Sequence, residues 1–167
     1  MPYAPAKTMK LATYNIHSAV GTDGLASPDR ILDVINEMNP DIVALQELAS
    51  HNRPELNMLE YFASQTGLTP VAGLTLHTLE SSYGNAVLTR LPVTGIRRID
   101  LSVPGHESRG AIDLTLDWHG IRLHLVATHL GLRPRERRQQ MRRLLQLFNT
   151  NSADIDVLMG DLNEWFL

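Results

Sequence analysis

The sequence contains no cysteine, and this absence excludes both disulfide staples and a thiolate zinc site. It also has no apolar run that approaches the length needed to cross a membrane. The first ten residues lack the apolar segment of a signal peptide. We therefore expect a cytoplasmic protein without a membrane span, held together by its hydrophobic core.

An excess of charge of one sign is also missing, because the formal net charge is only −3. This balance argues against a dominant nucleic-acid-binding field, although a local basic patch stays open. The 167 residues suggest one domain, and 43% apolar with 20% charged residues is typical of a globular protein. No stretch combines aromatic and basic residues as a DNA-binding segment would, but this decides nothing about the substrate.

Apolar periodicity predicts a mixture of strands and helices. The predicted elements are strands over residues 10–16, 41–47, 68–77, 83–91, 93–102, 109–118, 121–129 and from 156 to the glycine at 160, and helices over 27–38, 55–65 and 134–148. The strand over 93–102 is expected to form a hairpin with the strand that Pro92 ends. Antiparallel strands between two helix-containing units indicate two packed sheets with helices outside.

Helical spacing also predicts which side chains of two helices are buried. The expected stripes are Ile31, Val34, Ile35 and Met38 in the first helix, and Met141, Leu144, Leu145 and Phe148 in the third. The arginines of the third helix, Arg137 among them, are interpreted as a solvated face with Glu136 pairs rather than as a nucleic-acid patch.

Four of the predicted strands end in a polar residue, namely Asn15, Glu47, His129 and Asp161. Strands that each deliver a polar group at the C-terminal end indicate one site assembled across a sheet scaffold. Bland alternatives stay open for each residue. Asn15 could be a turn residue, Glu47 could pair with an arginine, and His129, which shares the parity of the apolar face, could be a hydrogen-bonded core residue.

The motifs around these residues resemble those of the endonuclease/exonuclease/phosphatase superfamily, in the same order and over nearly the whole chain. They are Tyr14-Asn15-Ile16, Leu45-Gln46-Glu47, Tyr83-Gly84-Asn85-Ala86, Thr128-His129-Leu130 and Gly160-Asp161-Leu162-Asn163. The resemblance implies a single α/β domain over residues 1–167. Its fold is expected to be a deoxyribonuclease I-like, four-layer sandwich of two mixed β-sheets flanked by helices.

The resemblance also implies an activity, the divalent-metal-dependent hydrolysis of phosphoester or phosphodiester bonds. Such cleavage needs a nucleophilic water, neutralisation of phosphate charge and help for the leaving oxygen. A hard cation such as Mg²⁺ or Mn²⁺ suits oxygen ligands and needs only one or two carboxylates, so Glu47 with Asn15 is the expected metal site.

Further roles follow from the positions that match the family motifs. Asp161 is expected to activate or orient the water, and Asn163 to contact the phosphate. His129 would bond the phosphate or protonate the leaving group, with Asn85 beside it. Arg109, which opens the strand before Gly110-Ala111, could neutralise phosphate, but an ordinary salt bridge is an equal alternative.

One departure from the family pattern concerns a final Ser-Asp-His segment, which these 167 residues do not contain. We therefore expect the domain to be truncated before that motif, with C-terminal strands missing. Such a chain is expected to associate with copies of itself or to be poorly stable, and to hydrolyse phosphodiesters feebly or not at all.

Two classes of function remain after the sequence has been considered. The first is a phosphoester hydrolase acting on nucleic acid or on a phospholipid or inositol-type phosphate, with abasic DNA and nucleotides also open. The second is a catalytically incomplete fragment or a non-catalytic binding module that retains the fold.

Overall fold

The computed structural model describes residues 8–51, 57–77, 81–148 and 153–165. Within these residues the chain forms two four-stranded sheets, three α-helices and a short 3-10 helix at His17–Ala19. The strands are β1 (Leu11–Asn15), β2 (Ile42–His51), β3 (Thr69–His77), β4 (Ser81–Thr89), β5 (Val93–Asp100), β6 (Gly110–Trp118), β7 (Ile121–His129) and β8 (Ile155–Asp161), and the helices are α1 (Pro28–Met38), α2 (Met58–Thr66) and α3 (Pro134–Phe148). No helix in this part of the chain is long and apolar enough to cross a membrane.

Both sheets are mixed, and each contains one parallel pair. The first has the order β1-β2-β4-β3, with β1 parallel to β2, and the second has the order β5-β6-β7-β8, with β7 parallel to β8. Parallel partners end at the same edge of a sheet, so Asn15 lies opposite Gln46, and His129 lies opposite Asp161. β1, β7 and β8 thus end in Asn15, His129 and Asp161, as expected. The expected end of the second strand at Glu47 was wrong, because β2 continues to His51 beyond an irregularity between Leu45 and Leu48.

The fold has four layers, the two sheets and the helices outside each of them, and the core has three parts that fill the spaces between these layers. Apolar side chains of β2, β4, β6 and β7 fill the space between the sheets, for example Ile42, Val87 and Leu114. The other face of the first sheet packs against α1 and α2, and the other face of the second packs against α3. Since β2 is buried on both faces, its first half is a continuous apolar run. The expected sandwich of two mixed sheets with flanking helices is confirmed.

Three expectations about packing were wrong. Val34 is exposed on α1, where Leu32 is buried instead, and Leu145 is 53% exposed on α3. The strand over 93–102 does not pair with β4, because β5 belongs to the second sheet and pairs with β6. Between β4 and β5 the chain passes from the first sheet to the second. Pro92 already accepts a hydrogen bond from the Asp117 amide of β6, so this passage is complete before β5 begins. The expected start of α2 at Glu55 falls outside the described residues.

Gly160 is required where β8 passes β7. Its φ is +140°, and a Cβ atom there would lie 1.8 Å from the backbone oxygen of Thr128. We expect Gly160→Ala to lower the free energy of unfolding by at least about 2 kcal/mol, because it adds a backbone clash to an unfavourable φ. Urea denaturation would measure this loss.

Gly120→Ala is the matched control for this substitution. Gly120 also has a positive φ, +86°, but nothing lies within 4 Å of the position that an added methyl group would take. The control should therefore lose only about 1–2 kcal/mol, the cost of left-handed backbone for a residue with a Cβ. Equal losses in the two variants would show that the contact with Thr128 contributes little.

Candidate active site

Asn15 joins the two sheets at the edge where the parallel strands end. Its Nδ2 donates to Glu47 Oε1 at 2.8 Å and to Asp161 Oδ2 at 3.1 Å, although Asp161 lies 146 residues further along the chain. Its Oδ1 accepts from the His17 backbone amide at 3.2 Å. A single amide therefore holds one carboxylate from each sheet in the same site.

Left-handed backbone is concentrated at this site. Seven non-glycine residues in the described ranges have a positive φ, and five of them lie here: His17, Ser18, Ala19, Glu47 and Asn163. Glu47 also sits where the register of β2 against β4 shifts, and such irregularities re-aim a side chain. Strained backbone of this kind is retained where the surrounding structure demands it, commonly at functional sites.

Both carboxylates are held in their ionised form. Burial alone would raise the pKa of Glu47, but hydrogen bonds from Asn15 and His17 outweigh it and lower that pKa. Burial likewise opposes the ionisation of Asp161, yet the Asn15 amide and the Asn163 backbone N–H lower its pKa. The site thus presents two negative charges, one at the irregularity within β2 and one at the end of β8.

His17 and Tyr83 complete the surroundings of Glu47. The His17 Nδ1 lies 3.0 Å from Glu47 Oε2. Burial raises the pKa of Tyr83. The negative charge of Glu47, which accepts a hydrogen bond from the Tyr83 hydroxyl, raises it further. Neither residue was given a role from the sequence. His17 begins three consecutive left-handed residues, a conformation that no glycine indicates in the sequence.

His129 lies between Asp161 and Arg109 and is only 5% exposed. Its Nε2 is 3.7 Å from Asp161 Oδ2, and its Nδ1 is 3.2 Å from Arg109 Nη1. Burial and the Arg109 charge lower the pKa of His129, against the opposing pull of Asp161, Glu47 and Glu107. Arg109 also forms a salt bridge with Glu107 at 3.1 Å.

The two remaining candidates, Asn85 and Asn163, are buried and hydrogen-bonded within the protein. Asn85 donates to the Gly110 backbone oxygen at 3.1 Å, next to Arg109. Asn163 donates to the Leu130 backbone oxygen at 2.8 Å, and its Oδ1 accepts from the Trp165 indole at 3.3 Å. Both side chains support the backbone of the site, and the expected phosphate contact of Asn163 stays a prediction.

The first turns of α3 hold the segment that follows His129. Gln140 accepts from the Gly131 amide at 2.9 Å, and Arg137 donates to the Leu132 carbonyl at 2.7 Å and to Glu164 at 2.9 Å. The interpretation of Arg137 as part of a solvated face was therefore wrong, since Arg137 is 8% exposed. A helical projection would have indicated this, because Arg137 and Gln140 share a face with the buried Leu144.

We expect Arg137→Met to lower the free energy of unfolding by about 1–3 kcal/mol, since it leaves the Gly131 and Leu132 carbonyls without their buried donor. Thermal denaturation would measure the loss. Arg138→Met is the matched control, because Arg138 is the next residue of α3 but is exposed, and surface substitutions usually stay within about 0.5 kcal/mol. Equal stability of the two variants would contradict the assigned contacts.

The oxygen atoms of this site suit a hard divalent cation. Among the described residues, no three histidine, aspartate or glutamate side chains are spaced to bind a metal by themselves. Mg²⁺ needs fewer, because it keeps several waters and binds through one or two carboxylates. The Glu47 carboxylate is such a ligand. The Asn15 side chain lies beside it at 2.8 Å, with its Nδ2 toward Glu47 and its Oδ1 toward the His17 amide.

Comparison with known proteins finds one family whose model covers all the residues of this site. A model of the Endonuclease/Exonuclease/phosphatase family matches residues 12–166. The uncharacterized protein YbhP of Escherichia coli (strain K12) is 30% identical to this chain over 176 residues, which covers 95% of this chain and 68% of YbhP.

Solved structures share the fold. An endonuclease/exonuclease/phosphatase from Beutenbergia cavernae DSM 12333 superposes with a TM-score of 0.78 at 28% identity, covering 94% of this chain and 48% of that one. TDP2 from D. rerio, in a complex with a single strand DNA product, superposes with a TM-score of 0.73 at 21% identity. That match covers 95% of this chain and 62% of the TDP2 chain. This chain thus spans about half of the first structure and less than two thirds of the second.

Proposed function

Because this chain belongs to the endonuclease/exonuclease/phosphatase family, a family of phosphoesterase-type hydrolases, we propose that it hydrolyses phosphodiester bonds with Mg²⁺ or Mn²⁺ as cofactor. The observation that carries the proposal is the convergence of Glu47 and Asp161 on the Asn15 amide, with His129 beside them. Four polar groups from two sheets meet there, and the two carboxylates among them share one amide nitrogen although their charges repel. Such an arrangement is costly to fold unless it serves a ligand or a reaction.

The proposed roles follow from the charge and position of each group. Asp161, held ionised by two N–H donors, accepts a proton from the attacking water. His129 faces the same space with its Nε2, where it would bond the phosphate or protonate the leaving group. Glu47 and Asn15 would hold the cation, which when bound would neutralise charge on the phosphate.

The proposed substrate is a nucleic-acid phosphodiester, and a phospholipid or inositol-type phosphate is the alternative. Support for nucleic acid comes from a fold relative, the D. rerio TDP2 that was solved with a single strand DNA product. Three exposed arginines, Arg133 just before α3 and Arg135 and Arg138 in its first turns, follow the segment that leaves His129. They supply local positive charge for a polyanion despite the net charge of −3.

The experiment is hydrolysis of bis-(p-nitrophenyl) phosphate with Mg²⁺, with Mn²⁺ and with EDTA. Metal-dependent release of nitrophenol is the expected result. Parallel reactions with a single-stranded oligonucleotide, phosphatidylcholine vesicles and an inositol phosphate would then rank the substrates. Binding of these compounds without turnover in any metal would favour the non-catalytic binding module.

Self-association stays a prediction. Its basis in the structure is that β8 lies at an edge of the second sheet, and unpaired edges can pair with another chain. Light scattering at several protein concentrations would test it.

A further inference from the structure

The contact between Arg109 and His129 determines which ring nitrogen of His129 carries hydrogen. Arg109 Nη1 lies 3.2 Å from His129 Nδ1, and both side chains are more than nine-tenths buried. A guanidinium has five N–H donors and no acceptor, and it stays protonated in proteins. The Nδ1 atom of His129 must therefore accept this hydrogen bond, so it carries no hydrogen.

The other ring nitrogen then has a defined role. A neutral imidazole has one donor and one acceptor, so the hydrogen of His129 lies on Nε2. Nε2 is 3.7 Å from Asp161 Oδ2, which is longer than a direct hydrogen bond. The Nε2–H of His129 is therefore free to donate to an acceptor other than Asp161.

We propose that Arg109 is a positioning residue, which keeps His129 neutral with its hydrogen on Nε2. His129 then donates a hydrogen bond to a phosphate oxygen and does not deliver a proton to the leaving group. This second step rests on the proposed hydrolysis, whereas the tautomer depends on the contact alone. The proposal also decides between the two roles that the family resemblance leaves open for His129.

The charges around His129 show why Arg109 is needed. Asp161 from β8 and Glu47 from β2 both favour an imidazolium, and so does Glu107, which pairs with the outer edge of Arg109. Against these three carboxylates stand the burial of the ring and the guanidinium in contact with it. Removing the guanidinium would take away the positive charge that opposes these carboxylates at the ring.

Nitrogen NMR of the protein labelled with ¹⁵N-histidine tests the assignment without any substrate. The spectrum of His129, identified by its loss in His129→Gln, should show an unprotonated Nδ1 and a protonated Nε2 at neutral pH. In Arg109→Met both tautomers should appear, and the pKa of His129 should rise. Arg109→Lys should restore the neutral ring, because an ammonium also donates and carries positive charge.

Two results would overturn the proposal. One is a wild-type spectrum in which His129 carries hydrogen on Nδ1 or on both nitrogens. The other is an Arg109→Met spectrum that equals the wild type. Arg97→Met is the matched control, since Arg97 pairs with Asp113 on the same sheet and should not alter the His129 signals.

Kinetics separate positioning from folding and from the proposed function. In Arg109→Met we expect kcat for bis-(p-nitrophenyl) phosphate to fall about 10²-fold, the loss typical of one misplaced donor to a developing charge. Arg109→Lys should recover most of this loss together with the tautomer. A wild-type protein without turnover would refute the proposed hydrolysis and leave the NMR assignment of Arg109 standing.

Discussion

Replacing Glu47 with glutamine is expected to lower metal-dependent phosphodiester hydrolysis by at least about 10³-fold while the protein stays folded. The reason is that glutamine has nearly the same shape but removes the negative charge that would hold the cation. A bound cation supplies several kcal/mol of charge stabilisation, and about 1.4 kcal/mol corresponds to a factor of ten in rate. The variant should fold because it also removes one of two carboxylates that share the Asn15 amide.

The measurement has two parts, turnover at saturating Mg²⁺ and direct binding of Mn²⁺ followed by its electron spin resonance. Glu47→Gln should lose both turnover and Mn²⁺ binding. Glu60→Gln is the matched control, because Glu60 is an exposed residue of α2 and should keep both. Unchanged turnover of Glu47→Gln at saturating Mg²⁺ would reject Glu47 as the metal ligand.

Local patterns in the sequence predicted the elements of the fold well. The alternation along β6 predicted its inner face correctly, since Ile112, Leu114 and Leu116 all face the core between the sheets. The shared parity of Leu123, Leu125 and His129 correctly placed the histidine at the edge of that core. These features depend only on the two-residue period of a strand, which the sequence displays directly.

Features that depend on partners distant in the chain could not be predicted in the same way. β5 pairs with β6 and not with β4, because the chain passes from the first sheet to the second after β4. In the sequence, Pro92 indicates only that a strand ends there. The polar inner face of α3 was missed because arginine is usually exposed, and Arg137 is buried only because backbone carbonyls and Glu164 meet it there.

In the candidate site, too, local features could be predicted and contacts between distant residues could not. Motif order indicated which strand ends carry polar groups, but the hydrogen bond from Asn15 to Asp161 joins different sheets, and no local pattern records it. Arg109 was considered for phosphate or for a salt bridge. The structure shows the salt bridge, with Glu107, and also places Arg109 against His129. Only the three-dimensional arrangement distinguishes a residue that contacts substrate from one that orients another side chain.

Asp161→Asn is expected to lower kcat by about 10²–10⁴-fold, the range that a positioned general base contributes. An asparagine oxygen can still accept from the Asn163 backbone N–H, which now bonds Oδ1 at 2.9 Å. Its amide group would then face the Asn15 amide, so one hydrogen bond is lost together with the charge. Asp154→Asn is the matched control and should keep full activity, because Asp154 lies just before the start of β8, at the end remote from Asp161.

The comparison with Glu47→Gln makes the assignment of roles specific. Both carboxylates touch the same Asn15 amide, so a general disturbance of the site would affect the two variants alike. If Glu47 holds the cation and Asp161 serves the water, Asp161→Asn should still bind Mn²⁺, whereas Glu47→Gln should not. Loss of Mn²⁺ binding in Asp161→Asn would make Asp161 a metal ligand, and a rate within about tenfold of the wild type would remove it from the proton transfer.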